Sequence, residues 1–159
     1  MPYDVSAELD GSALSALDAA PYVALLEEVL AAEGVEDGAV VALRFADDAL
    51  LWRLNREHRG IDEPTDVLSF PGDEGETFPA AGGESRHIGD IAVSVPTARR
   101  QAADAGLTLD EELRHLVLHG LLHLLGYDHE SDADDAAMRA KEEAVLGPHI
   151  HEAGGHERD

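Results

Sequence analysis

The run His119-Gly120-Leu121-Leu122-His123-Leu124-Leu125-Gly126-Tyr127-Asp128-His129 sets three histidines at relative positions 0, +4 and +10, with a glycine at +7. Two histidines four residues apart share one helical face at about 5–6 Å, so their imidazoles can converge on a single ion. A third ligand requires the chain to turn back, and Gly126 is the residue type that tolerates the left-handed stop of a helix. His119, His123 and His129 are therefore candidate ligands of one zinc ion. Three neutral imidazoles leave a fourth tetrahedral position open, which marks a catalytic rather than a structural site. Zinc held in this way lowers the pKa of its water towards roughly 7 and polarises any phosphoryl oxygen it touches.

The same spacing occurs in metalloproteases of the pattern H-E-x-x-H-x-x-G-x-x-H, where the glutamate is the general base. Here that position is Gly120, so the ligand set is kept while the base of peptide hydrolysis is missing. Other histidines read differently. His115, one turn before His119, suits a supporting or structural role, and His58 and His87 have no partner at ligand spacing. Asp128 suits either the orientation of a ligand imidazole or a plain turn. His149, His151 and His156 in the polar tail suit adventitious metal binding at most, since a mobile tail loses entropy on ordering.

Together with Thr65-Asp66-Val67-Leu68-Ser69-Phe70-Pro71 and Ile88-Gly89-Asp90-Ile91, the histidine motif resembles the YbeY family of bacterial metal-dependent endoribonucleases, over a stretch from about Asn55 to Leu146. The resemblance implies a single-strand-specific ribonuclease acting in ribosomal RNA processing, at the small-subunit 3′ end, and in ribosome quality control. It implies zinc on His119, His123 and His129, RNA and the ribosome as partners, and a functional arginine that maps to Arg59. Arg53, Arg56 and Arg59 recur every third position on one predicted helical stretch, the pattern of a solvated basic face. The resemblance separates Arg59 from the other two, and its guanidinium fork suits a phosphate. Two readings from other classes stay open: a zincin-type metallopeptidase with its base outside the motif, and a non-catalytic ribosome-associated factor that uses zinc only for folding.

Composition bounds the rest. A chain of 159 residues fits one domain, expected over 1–147, with an acidic and disordered tail over 148–159. No cysteine is present, which removes disulfides and thiolate ligands. The acidic opening Met1-Pro2-Tyr3-Asp4 precedes no long apolar run, so a cytoplasmic protein without a membrane span is expected. The net charge of −23, with Lys141 the single lysine, sits awkwardly with RNA binding and suggests adaptation to high salt.

To position the motif, the chain reads as α+β: a mixed sheet of about four strands covered by about five helices, with the histidine helix central. Strands are expected at Val5–Leu9, Val40–Phe45, Val67–Phe70 and Ile88–Val95. Ala13–Ala32 reads as a helix broken near Pro21, and Asp47 as the cap of a helix through Arg56, followed by a linker from Arg59 to Pro64. Pro71–Arg86 has the Gly, Glu, Pro and Asp content of an exposed loop, and Pro96 fits the first turn of the next helix. Thr108 and Glu111 form a capping-box pattern ahead of the histidine helix, and Ser131 caps a last helix ending near Leu146. Val67–Phe70 is read either as an edge strand lining the substrate groove or as a core strand.

Overall fold

The computed structural model describes residues 3–9, 17–63, 65–72, 86–127 and 132–147. Strands β1 (Asp4–Leu9), β2 (Ala39–Ala46), β3 (Val67–Pro71) and β4 (Arg86–Ser94) form one mixed sheet in the order β1-β2-β4-β3. β1, β2 and β4 run parallel, and β3 pairs antiparallel with β4 at the sheet edge, Val67 opposite Val93 and Pro71 opposite Gly89. The helices are α1 (Ala20–Ala32), α2 (Asp48–Arg59), α3 (Val95–Ala105), α4 (Leu109–Leu124) and α5 (Asp132–Leu146). The architecture is α+β, as expected.

Strand alternation divides the helices between two faces. Val41, Leu43, Phe45, Ile91 and Val93 point to the side where α1 and α4 complete the main core. Ala46, Leu68 and Ala92 point to the other side, where Leu51 of α2 covers them. α4 lies inside the main core and buries Leu113, Leu116, Val117, Leu118, Leu121 and Leu122. Six such side chains contribute on the order of 10 kcal/mol of burial, which anchors this helix in the core.

Its ends are fixed locally. The Thr108 hydroxyl accepts from Glu111 N–H, and the Glu111 carboxylate accepts from Thr108 N–H, the reciprocal box expected from the sequence. At the other end Gly126 takes φ 107°, Gly126 N–H donates to His123 O, and Tyr127 N–H donates to Leu122 O. This pair of bonds is a Schellman stop, and glycine is required where φ is positive.

Three boundaries differ from expectation. α1 begins at Ala20 with Pro21 in its first turn, whereas a helix from Ala13 was expected; residues 17–19 are not helical, and 10–16 lie outside the described residues. A proline lacks the N–H that an interior turn needs but loses nothing at a helix start, so it opens the helix instead of interrupting it. α2 runs to Arg59 and is stopped by Gly60, which makes Arg59 its last helical residue instead of the first of a linker. Val95 belongs to α3, where the Ser94 hydroxyl accepts from Thr97 N–H, and not to the preceding strand. Ser131, residues 73–85 of the expected loop and the tail 148–159 lie outside the described residues.

Candidate metal centre and substrate groove

His119 and His123 stand on successive turns of α4 with ring centroids 6.1 Å apart, as the spacing requires. Each is oriented through Nδ1. His123 Nδ1 lies 3.0 Å from the Tyr127 carbonyl oxygen, which can only accept, so this nitrogen carries the proton. His119 Nδ1 lies 2.8 Å from Glu142 Oε2 on α5. Burial alone would raise the Glu142 carboxyl, but hydrogen bonds with His115 and His119 outweigh it and hold this group well below the usual carboxylate range. A carboxylate accepts from an imidazole N–H, so this contact suits His119 with its proton on Nδ1. Both rings then have the lone pair on Nε2, the form in which imidazole ligates a metal. This donor chemistry fits zinc. His129 and Asp128 lie outside the described residues, so the third member of the expected set has no described position.

The turn that supplies the Tyr127 carbonyl is itself tied down. Tyr127 O–H donates to Glu33 Oε1 at 2.8 Å, and Lys141 Nζ lies 2.9 Å from Glu33 Oε2, joining the ends of α1, α4 and α5.

Gly120, where a protease would carry its base, faces the sheet. A Cβ there would sit 2.8 Å from Ile91 Cγ2 and 3.1 Å from Ser69 Oγ, and the Ser69 hydroxyl donates to Gly120 O at 3.0 Å. The glycine lets α4 approach β3 and β4 closely, and a glutamate has no room at this position.

An open groove of about 1050 Å³ runs along the sheet face that α2 covers only in part. β3 is an edge strand whose Ser69 and Phe70 line this groove, while Leu68 is buried against α2. His123 and Arg59 both line this groove, whereas Arg53 and Arg56, equally exposed on α2, do not. Asn55 fixes the segment after α2: buried itself, it donates through Nδ2 to Glu63 O at 2.9 Å. His58, tilted against Phe70 with centroids 5.0 Å apart, and His87, 3.0 Å from Asp90, line the same groove as His123.

Glu142, Glu112 and the Glu33–Lys141 pair are not read from the sequence, whereas Ser69 stands there within the Thr65–Pro71 motif without a role of its own. Of the others only Lys141, as the single lysine, carries any signal there.

Comparison with known proteins shows the family of this chain. The family model described as Endoribonuclease YbeY matches residues 14–149. The chain is similar to an Endoribonuclease YbeY of Pelotomaculum thermopropionicum, 52% identical over 122 residues that cover 76% of this chain and 79% of that one. It is also similar to an Endoribonuclease YbeY of Chloroflexus aggregans, 47% identical over 148 residues, 92% of this chain and 95% of that one. Among solved structures, the solution structure of TM1509 from Thermotoga maritima superposes with a TM-score of 0.58 at 28% identity, covering 94% of this chain and 89% of that one.

Proposed function

Because the chain belongs to the endoribonuclease YbeY family, we propose that it cleaves single-stranded RNA, in ribosomal RNA processing at the small-subunit 3′ end and in ribosome quality control, with one zinc ion on His119, His123 and His129. The observation that carries the reading is the meeting in one groove of His123, oriented with its lone pair on Nε2, and Arg59, delivered by a different helix. A metal centre beside a phosphate-binding guanidinium suits cleavage of a phosphodiester.

Arg59 binds a phosphate oxygen pair through its planar fork and neutralises charge that grows on phosphorus during cleavage. Tyr127, through its carbonyl, keeps the His123 ring in its ligating form. Zinc, when bound, supplies a Lewis acid for the phosphoryl oxygen and a water of lowered pKa. The groove is open along the sheet, which suits a single strand laid across β3. Among the described residues no helix is long and apolar enough to cross a membrane.

The peptidase reading loses ground at Gly120, where the base is missing and its space is filled by Ile91 and Ser69. The reading of zinc as a folding device is decided by whether the metal-free chain keeps its fold.

The test measures zinc content and cleavage of single-stranded RNA before and after chelation, for the native chain and for alanine variants of His119, His123 and His129. Zinc content and cleavage are expected to fall together in all three variants, while the metal-free protein keeps its far-UV signature. Full zinc occupancy in every variant removes the site assignment. Product ends identify the nucleophile: a 3′-hydroxyl reports water, and a cyclic phosphate reports the ribose 2′-hydroxyl.

A further inference from the structure

Glu142 lies outside the groove, and its carboxylate is among the most buried of the described residues, 2% exposed. Burying a carboxylate in such a place is strongly unfavourable unless both oxygens are engaged. They are. Oε2 lies 2.8 Å from His119 Nδ1, and Oε1 lies 3.0 Å from His115 Nε2, one turn earlier on α4. Glu112, fully buried, stands behind His115 at 3.8 Å from its Nδ1. Because a carboxylate only accepts, both imidazoles must donate to it.

The geometry points to Glu142 as a positioning residue for zinc, fixing His119 as the Nδ1–H tautomer and holding its ring plane, with His115 as a strut that keeps the carboxylate from rotating. This inference rests on the reading of His119 as a ligand. A neutral imidazole has one proton and one lone pair, so the acceptor on Nδ1 decides that Nε2 is the ligating atom. The carboxylate also makes that nitrogen more basic, and outer partners of this kind are worth about 10–100-fold in metal affinity. His115 thereby has a use that does not require it to touch the ion: it occupies Oε1, so that Oε2 has one orientation.

Glu142→Gln separates positioning from packing, because glutamine keeps the volume but has one acceptor and one amide donor. If the amide faces His119, Nδ1 must accept and the proton moves to Nε2. If it faces His115, His119 retains only a neutral acceptor. Either arrangement weakens zinc binding.

Zinc affinity is measured by competition with a chromophoric chelator, alongside long-range proton–nitrogen NMR of the histidine rings in the metal-free full chain. The expected result is His119 as the Nδ1–H tautomer in the native protein and zinc affinity lower by about 10–100-fold in Glu142→Gln. His115→Gln, which retains a donor towards Glu142, is expected to lose less. A variant that binds zinc as tightly as the native chain overturns the inference whatever its Tm, and leaves Glu142 with a packing role. The Nε2–H tautomer of His119 in the native metal-free protein overturns it as well. A native chain that binds no zinc overturns the inference and the zinc reading together, a result distinct from loss of the Glu142 effect alone. Should Glu142→Gln fail to fold, Glu142→Asp, too short to reach both rings, is read in the same way: weaker zinc upholds the inference, and unchanged zinc ends it.

Discussion

At Gly120 the absence of a side chain does two things. It removes the base that a zincin peptidase needs, and it brings α4 against Ile91 and Ser69. Gly120→Ala is expected to destabilise the protein by about 1–3 kcal/mol, since a Cβ meets a β-branched side chain in a packed layer. Thermal or denaturant unfolding measures this, and an unchanged midpoint would show that the layer can open. Arg59 carries the second prediction at this scale. Arg59→Lys keeps the charge but loses the planar fork, so single-turnover cleavage should fall by about two to three decades, roughly 2–4 kcal/mol, with zinc content unchanged. Arg53→Lys and Arg56→Lys, which alter residues outside the groove, should leave the rate near that of the native chain. Equal rates in all three would return Arg59 to the solvated face of α2.

The helices and strands were largely legible in the sequence because their signals are local. The capping box at Thr108, the glycine stop at Gly126 and the alternation along β2 each involve neighbours within a few residues. What escaped lies across the chain. Glu142 meets His119 over 23 residues and Glu33 meets Tyr127 over 94, and no periodicity announces a contact that exists only once the helices have packed. Proline at 21 was misread for a related reason, since its effect depends on which turn it occupies. The tie between α1, α4 and α5 yields a pH prediction. Hydrogen bonds from Lys141 and Tyr127 hold the Glu33 carboxyl below its ordinary 4.5, against the opposing effect of burial. A depressed acid contributes stability above its unfolded pKa and loses that contribution as pH falls through the folded one. Glu33→Gln should therefore lower Tm at pH 7, and the gap to the native chain should close as pH drops below about 4.5. A gap constant across that window would mean that the pair acts through shape and not charge.

For the molecule as a whole, a net charge of −23 sets two properties against each other. Self-repulsion among 34 acidic residues destabilises the compact state and is relieved by salt, so Tm is expected to rise into multimolar potassium chloride. Binding of an RNA strand should weaken over the same range, because phosphate contacts release counterions. Melting curves and KM for a short RNA across one salt series measure both. A Tm indifferent to salt would remove the suggestion of a saline habitat. In a chain of this charge any cation acts locally, and the groove wall carries Arg44 and Arg59 beside the acids Glu8 and Asp90.

The origin of Glu142 in the last helix fixes when the centre is completed. A polypeptide emerges from its ribosome in numerical order, so α4 leaves first, and its two engaged histidines precede their carboxylate by 23 and 27 residues. Until α5 has followed and docked, the contact of Glu142 with His119 is not made, and Glu33 waits for Lys141. A nascent chain stalled before residue 142 carries the sequence of all four strands and of α4 but lacks the carboxylate that meets His119.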